Sequence, residues 1–214
     1  MNRQESYRAR YRQRNPPWRD SVTIYRQVIE QLATVDTRLL DVGCGHGDVL
    51  HQAYRQSCMA VGIEPDVHAL QMNHVLRDCV CGIGEQLPFA DESFDLITSA
   101  WVLEHVRDPL KLLHECWRVL RPNGKIVFLT PNTWNYNVWL IRAVPNRWHS
   151  FFTTRLYNRQ ANDTYPVQYR LNSVRTIERL AQQAGFQRTQ LILNGDPSYI
   201  SFNEPLFRLA CGIE

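Results

Sequence analysis

The chain has 214 residues, of which 44% are hydrophobic and 21% charged, and its formal net charge is +3. This composition is typical of a globular protein and suits one domain with a substantial core. No apolar run reaches the roughly 18 residues of a membrane-spanning helix, and the first twenty residues lack the apolar stretch of a secretory signal. We therefore expect a cytoplasmic protein without a transmembrane segment.

The cysteines give no sign of a metal site. None of the six forms a C-x-x-C pair, and several lie in apolar segments, as buried reduced thiols of a cytoplasmic protein do. We predict no metal from these positions: Cys44, Cys58, Cys79, Cys81, Cys116 and Cys211.

Residues 1–34 form a basic segment followed by a helix. The first twenty residues carry six arginines against one Glu and one Asp and end near "NPPW" at 15–18, which interrupts a helix. We interpret residues 1–34 as a lid anchored by Trp18. Binding of nucleic acid or acidic phospholipid is the alternative that the arginines leave open. Residues 21–34 place one apolar helical face, made of Val22, Tyr25, Val28, Ile29 and Leu32.

Residues 35–130 alternate between short apolar segments and helical ones. Asp108 is placed to cap a helix with Pro109 in its first turn, and "RPNG" at 121–124 predicts a turn. Strands too apolar to face water indicate a doubly wound, mostly parallel sheet with helices on both faces, an α/β fold. The five predicted strands are "TRLLDVG", "MAVGIEPD", "CVCGI", "SFDLITSA" and "KIVFLT".

Residues 131–170 break the alternation, and we predict that they form a small aromatic cap. Residues 171–214 complete the core, with a helix capped by Asn172 and ended by Gly185. "FQRTQLILNG" and "YISFN" are predicted to close the sheet as an antiparallel pair, which makes seven strands. Packing within a lid is an equal alternative for several of the candidate substrate contacts, which are Trp18, Trp134, Tyr136, His149 and Tyr165.

The segment "LLDVGCGHG" at 39–47 runs from a strand into a glycine-rich turn. Its spacing is one residue tighter than the G-x-G-x-x-G of dinucleotide-binding proteins, and Asp41 would repel a pyrophosphate. The ammonium group of an amino acid would instead be attracted by that carboxylate. S-adenosylmethionine combines an amino-acid tail, a cationic sulfonium and an adenosine without phosphate, so the segment predicts this cofactor.

The second predicted strand also ends in an acid. Glu64 follows Asp41 by 23 residues and lies where ligands bind in open parallel sheets. A carboxylate there can accept hydrogen bonds from both ribose hydroxyls. The alternative is a solvated acid at a strand end.

From about Arg38 to Gly124 the chain resembles the class I S-adenosylmethionine-dependent methyltransferases. "LLDVGCGHG" looks like their first motif, "VGIEPD" like their ribose-binding strand, and "GEQLPFADESFDLITSAWVLEHVRDPLKLLHECWRVLRPNGKIVFLTPN" like the stretch from their adenine loop through the fifth strand. The sequence departs from the family at Ile83, where many relatives carry the Asp that accepts from adenine. The resemblance implies a Rossmann-like fold, with the methionine end held by Asp41, Gly43, Cys44, Gly45 and Gly47, the ribose by Glu64, the adenine beside Pro65, Gly84 and Glu85, and the methionine pocket lined by Ser99, Ala100 and Trp101.

The chemistry of the acceptor is less defined. His105, in "LEHV", is the candidate general base, which is needed only for a weakly acidic acceptor; a packing or capping histidine is the alternative. We expect transfer of a methyl group to a small-molecule or lipid-like acceptor. An RNA or protein methyltransferase and a non-catalytic domain that binds the cofactor are the alternatives. "NPPW" resembles a motif of DNA amino-methyltransferases, but it precedes the glycine turn and would need a permuted order, so a nucleic-acid partner is not expected.

Overall fold

The computed structural model describes residues 3–47, 49–134, 167–201 and 204–213. The chain divides into two compact units. The larger combines Ile24–Asn132 with Val167–Gln190, and the smaller combines Met1–Thr23, Thr133–Pro166 and Leu191–Glu214. The predicted aromatic cap lies almost wholly outside the described residues. The predicted roles of residues 1–34 as a lid and 131–170 as a cap remain predictions.

Five parallel strands form the sheet of the larger unit. They are β1 (Arg38–Val42), β2 (Met59–Glu64), β3 (Asp78–Cys81), β4 (Phe94–Ala100) and β5 (Leu120–Leu129), in the order β3-β2-β1-β4-β5. The chain moves outward from β1 in one direction, then returns to β4 on its other side. The carboxyl ends of β1, β2 and β4 therefore meet at a topological switch point, where ligands bind in open α/β sheets.

Seven α-helices are described. They are α1 (Arg3–Arg14), α2 (Ser21–Leu32), α3 (His51–Gln56), α4 (Val67–Met72), α5 (Pro109–Val119), α6 (Val174–Gln183) and α7 (Glu204–Ile213). The predicted start of α5 is confirmed, because the Asp108 carboxylate accepts from the Lys111 N–H at 3.1 Å and Pro109 occupies the first turn. None of the described helices is long and apolar enough to cross a membrane.

Both faces of the sheet bury apolar side chains. On one face, Leu112 and Leu113 of α5 pack with Leu40 and Ile97, and α6 adds partly buried side chains. On the other face, a second buried cluster contains Tyr25 and Ile29 of α2, Ala53 and Tyr54 of α3, and Leu39 and Leu96 of the sheet. Helices therefore cover both faces, as the apolar strands predicted.

The prediction of a seven-stranded sheet is wrong for the described residues, which form five strands. Residues 187–195 have no regular secondary structure, and Pro197–Ile200 form a 3-10 helix. The reason is local: the Asp196 carboxylate accepts from the Ser198 N–H at 2.9 Å, and Pro197 follows it, so the chain begins a capped turn. This turn falls where the second strand of the predicted antiparallel pair was expected to begin.

Two smaller predictions are corrected. The residue that caps α6 is Ser173, not Asn172, because its hydroxyl accepts from the Thr176 N–H at 3.2 Å. "RPNG" lies within β5 as an irregularity of the strand, with Asn123 at φ +67°. The buried residues of α5 are Leu112, Leu113, Cys116 and Val119, whereas Trp117 is 50% exposed and its ring lies edge-on against Phe186.

The smaller unit joins α1 to α7. The rings of Tyr7 and Phe207 stack with their centroids 4.6 Å apart. The Arg10 guanidinium donates to both oxygens of Glu204, at 2.6 and 2.9 Å, and this hydrogen bonding lowers the pKa of Glu204 to about 2. Arg8 donates to Asp196 at 2.8 Å. Arg12 donates to Asp20 at 3.2 Å, so three of the six N-terminal arginines are paired with acids of this unit.

Candidate functional site

Three glycines form the turn after β1, and all three have positive φ angles: Gly43 +78°, Gly45 +47° and Gly47 +80°. A Cβ on Gly43 would lie 2.1 Å from Val102 Cγ2, and one on Gly47 would lie 2.6 Å from Asn73 Oδ1. A Cβ on Gly45 would meet no atom within 4 Å. Two glycines are therefore needed for packing, while Gly45 leaves backbone facing open space, as a close approach by a ligand requires.

Glu64 lies at the carboxyl end of β2 beside this turn and is 7% exposed. Its Oε2 accepts from the Gly45 N–H at 3.1 Å, and its Oε1 accepts from the Asp66 N–H at 3.1 Å. The carboxylate is therefore held in place by two backbone groups next to the open face of Gly45. A carboxylate oriented in this way can accept paired hydroxyl groups of a ligand.

Asp41 lies at the carboxyl end of β1 and is 6% exposed. Its carboxylate accepts from the Tyr54 hydroxyl and, at 2.7 Å, from the Thr98 hydroxyl. Burial raises the pKa of Asp41 to about 6; the two hydroxyls oppose this rise, and the charge of Glu64 adds to it. Two hydroxyl donors are the main compensation for burying this charge.

Two buried carboxylates on adjacent strands give the site a negative potential. Asp41 and Glu64 are close enough for the charge of Glu64 to raise the pKa of Asp41. A phosphate would be repelled here, whereas an ammonium or sulfonium group would be attracted. The site therefore suits a cationic ligand whose hydroxyl groups can reach Glu64.

Trp101 follows β4 directly and has a left-handed backbone, with φ +60°. Its N–H donates to the Leu129 carbonyl at 2.8 Å, which fixes the strained residue between β4 and β5. Strain of this kind is costly for a bulky side chain and is found most often at functional sites. Trp101 is half-buried and comes directly after the carboxyl end of β4.

Comparisons with known proteins agree with this geometry. Residues 40–128 match the model of a methyltransferase domain. An uncharacterized methyltransferase of Mycobacterium sp. (strain KMS) is 41% identical over 105 residues, which cover 48% of this chain and 39% of the relative. A ubiquinone biosynthesis O-methyltransferase of Histophilus somni (strain 2336) is 32% identical over 129 residues, which cover 54% of each chain. The chain thus spans about half the length of these curated relatives or less.

The fold is shared more widely than the sequence. The crystal structure of an S-adenosylmethionine-dependent methyltransferase of Thermotoga maritima, described as a possible histamine N-methyltransferase, superposes with a TM-score of 0.56 at 18% identity. The superposition covers 78% of this chain and 72% of that one. Residues 40–128 therefore resemble a methyltransferase domain, and the chain has the fold of S-adenosylmethionine-dependent methyltransferases. The predicted cofactor, S-adenosylmethionine, is supported by the same comparisons.

The residues around the glycine turn fit that cofactor. Glu64 is suited to the ribose hydroxyls, the open face of Gly45 to close approach of the ligand, and Asp41 to the amino-acid end. Gly43 and Gly47 shape the turn without facing open space. The Cys44 side chain lies in the core, since a Cβ on Gly62 would be 2.5 Å from its sulfur. Only the Cys44 backbone belongs to the turn.

The predicted adenine loop is held by α5 and by the segment that precedes α5. A Cβ on Gly84 would lie 2.5 Å from Leu112 Cδ1, so this glycine packs on α5. The Glu85 carboxylate accepts from the Arg107 N–H at 3.0 Å and therefore braces the segment before α5. Arg118 of α5 donates to the carbonyls of Leu87 at 3.0 Å and Phe89 at 2.8 Å.

Ile83, which stands where many of the related methyltransferases carry Asp, is 48% exposed. The Glu85 carboxylate is already hydrogen-bonded to the Arg107 N–H. The exposed Ile83 therefore provides an apolar surface at this position. Pro65, the other predicted adenine contact, is also exposed. Ser99 of β4 is 1% exposed, and its hydroxyl makes no hydrogen bond in the described structure.

His105 lies in a turn before α5, where its N–H donates to the Val102 carbonyl at 2.8 Å. The neighbouring Glu104 is 7% exposed, and its carboxylate accepts from the Thr130 hydroxyl at 3.3 Å. Asn172 donates to the same Thr130 oxygen at 2.5 Å. The structure therefore places a buried polar cluster beside the candidate base, at the carboxyl ends of β4 and β5.

Of the remaining candidate substrate contacts, only Trp18 and Trp134 lie within the described residues. Tyr136, His149 and Tyr165 lie outside the described residues. Trp134 is 72% exposed. Trp18 belongs to the smaller unit, where its indole N–H donates to the Gly195 carbonyl at 2.8 Å.

Several site residues were not identified from the sequence. Asn73 accepts from the N–H groups of Val75 and Leu76 and donates to the Gly45 carbonyl at 3.0 Å, so it fixes the glycine turn from a distant loop. Thr98 had a visible signal, because it is a hydroxyl residue near the carboxyl end of a buried strand. Asn73 and Tyr54 had none, since each occurs in a segment with ordinary helical composition.

Proposed function

We propose that this protein transfers a methyl group from S-adenosylmethionine to a small-molecule or lipid-like acceptor. The observation that carries the proposal is the pair of buried carboxylates, Asp41 and Glu64, on either side of a glycine turn with one open face. This arrangement attracts the cationic cofactor and disfavours nucleotides that carry phosphates. The matched methyltransferase relatives support the same reaction.

The chain's main contribution is positioning. The cofactor supplies a methyl group already activated by a sulfonium, so the protein need not provide a strong electrophile. Orienting two reactants can lower a barrier by roughly 7–11 kcal/mol in favourable cases. Trp101, fixed by its backbone at the edge of the sheet, offers an aromatic wall that also stabilises a nearby cation. His105 is the candidate for accepting a proton from an acceptor hydroxyl.

The acceptor class rests on two observations. One matched relative is named as a ubiquinone biosynthesis O-methyltransferase, and the residue that follows β4 here is a half-buried tryptophan. A flat apolar surface beside a buried polar cluster suits an acceptor with a ring and a hydroxyl group.

The alternatives have less support. Arg8 and Arg10, which suggested an RNA partner, are paired with Asp196 and Glu204 inside the smaller unit. The "NPPW" segment lies between α1 and α2, whereas a permuted DNA methyltransferase would need it at a strand end. A non-catalytic domain that binds the cofactor differs from the proposed enzyme only by its lack of transfer. A cytoplasmic location stays a prediction.

The first test is calorimetry with S-adenosylmethionine and S-adenosylhomocysteine, using NAD as the comparator. We expect the first two to bind and NAD to fail. Glu64→Ala should abolish binding, whereas Asp36→Ala, at an exposed acid of the turn before β1, should leave it unchanged. Binding of NAD alone, or equal binding by both variants, would contradict the assignment.

The second test follows a labelled methyl group from the cofactor. We expect transfer to prenylated phenols and catechols and none to RNA or protein from the same extract. Label in RNA or protein would favour the other enzyme class. Tight cofactor binding without transfer to any fraction would favour the non-catalytic alternative.

A further inference from the structure

Tyr25 of α2 holds a buried hydroxyl group without a partner. The residue is 4% exposed, and its hydroxyl oxygen makes no hydrogen bond within the part of the chain that the structure describes. The ring packs in the buried cluster formed by α2, α3 and the sheet. Phenylalanine would supply the same packing, so the hydroxyl needs a separate explanation.

The hydroxyl lies beside the amino-acid end of the proposed cofactor site. Burial, and then the charge of Asp41, raise the pKa of Tyr25 well above its usual 10. The Thr98 hydroxyl and the Ser99 N–H are near enough to oppose this rise, but neither makes a well-formed hydrogen bond with the phenol. Tyr25 therefore reaches from α2 to the ends of β1 and β4.

Tyr54, in contrast to Tyr25, has a hydrogen-bond partner for its hydroxyl group. Tyr54 is buried in the same cluster, but its hydroxyl donates to Asp41. The Asp41 carboxylate also accepts from Thr98, so its two oxygens are already engaged. A buried hydroxyl without a partner is as unfavourable as a lost hydrogen bond. The Tyr25 donor is thus available to a group that enters the site.

We propose that the Tyr25 hydroxyl donates a hydrogen bond to the α-carboxylate of S-adenosylmethionine, while Asp41 attracts its α-ammonium group. This inference rests on the proposed cofactor site. It adds a residue from α2, which lies outside the residues 40–128 that match the methyltransferase domain. The amino-acid end of the cofactor would then be recognised at both of its charges.

The test compares Tyr25→Phe with the wild type by calorimetry, using three ligands. S-adenosylhomocysteine has the carboxylate and the amine, decarboxylated S-adenosylmethionine keeps only the amine, and 5′-methylthioadenosine has neither. We expect about tenfold or greater weakening for S-adenosylhomocysteine and less than about twofold for the other two. Unchanged binding of S-adenosylhomocysteine, as expected if the phenol only held a buried water, or equal weakening for all three ligands, would overturn the proposal.

Thermal unfolding without ligand provides the control. Tyr25→Phe should unfold at the wild-type temperature or above, because it removes an unpaired hydroxyl. Tyr54→Phe should unfold at a lower temperature, because it removes a donor to Asp41. A clear loss of stability in Tyr25→Phe would show a structural partner and would count against the ligand role. Failure of the wild type to bind S-adenosylhomocysteine would instead refute the cofactor assignment itself.

Discussion

Replacing Asp41 with asparagine should make the protein more stable and less able to bind its cofactor. The pKa of this carboxyl group is about 6 in the folded protein, against an ordinary value of 3.8. Because the folded value is the higher one, the ionised carboxylate opposes folding at neutral pH. The difference corresponds to about 3 kcal/mol. Asparagine keeps the shape and has no charge to bury, so Asp41→Asn should gain about 1–3 kcal/mol at pH 7.5.

Urea unfolding measures this gain as a shift of the midpoint at a constant slope. The advantage of the variant should be full above pH 6 and should shrink as the pH falls from 6 toward 4, because the wild-type carboxyl group then becomes protonated in the folded protein. Acids that do not interact with Asp41 titrate equally in both proteins and cancel in the comparison. The exposed Asp36→Asn should show no gain at any pH. A variant that is less stable at pH 7.5, or a gain that does not depend on pH, would refute the reasoning.

Three further predictions follow from the site. Affinity for S-adenosylmethionine, measured by calorimetry, should fall below about pH 6 by up to about tenfold per pH unit as Asp41 becomes protonated, and this dependence should be absent in Asp41→Asn. Gly45→Ala should still fold, with a loss of about 1–2 kcal/mol in the free energy of unfolding, and should lose cofactor binding. Gly43→Ala should lose about 3 kcal/mol or more of stability, because its Cβ would lie 2.1 Å from Val102 Cγ2. Equal stability of the two variants by thermal unfolding would contradict this prediction. Arg118→Lys cannot reproduce the guanidinium contacts to Leu87, Phe89 and Glu115. Urea unfolding should therefore show a loss of about 1–2 kcal/mol in the free energy of unfolding. An unchanged midpoint would show that these contacts are dispensable.

The sheet and the glycine turn could be predicted because their signals are local. An apolar strand that runs into a glycine turn specifies both the burial of the strand and the positive φ angles of Gly43, Gly45 and Gly47. Asp41 and Glu64 each end a strand, and parallel strands bring their carboxyl ends to one edge. The position of both acids follows from that rule.

The partners of those acids could not be predicted, because they come from other elements. Helical periodicity placed Tyr25 on a buried face, but periodicity does not show what the phenol oxygen meets. Asn73 reaches the glycine turn across 28 residues of sequence. The predicted antiparallel pair is wrong because the prediction followed the apolar residues and not the Asp196-Pro197 turn. The apolar side chains of that segment are between 45% and 66% exposed, namely Leu191, Ile192 and Leu193.

The pairing of α1 with α7 has a consequence for biosynthesis. Arg10 and Glu204 are separated by 194 residues, so this pair cannot form until the chain has been synthesised past Glu204. The strands of the larger unit are complete by Leu129, and neighbouring strands can pair earlier during synthesis. We therefore expect the side chains of α1 that pair with α7, such as Arg10 and Tyr7, to stay exposed until α7 has been synthesised. During that interval a nascent chain would present to chaperones a surface that the finished protein covers.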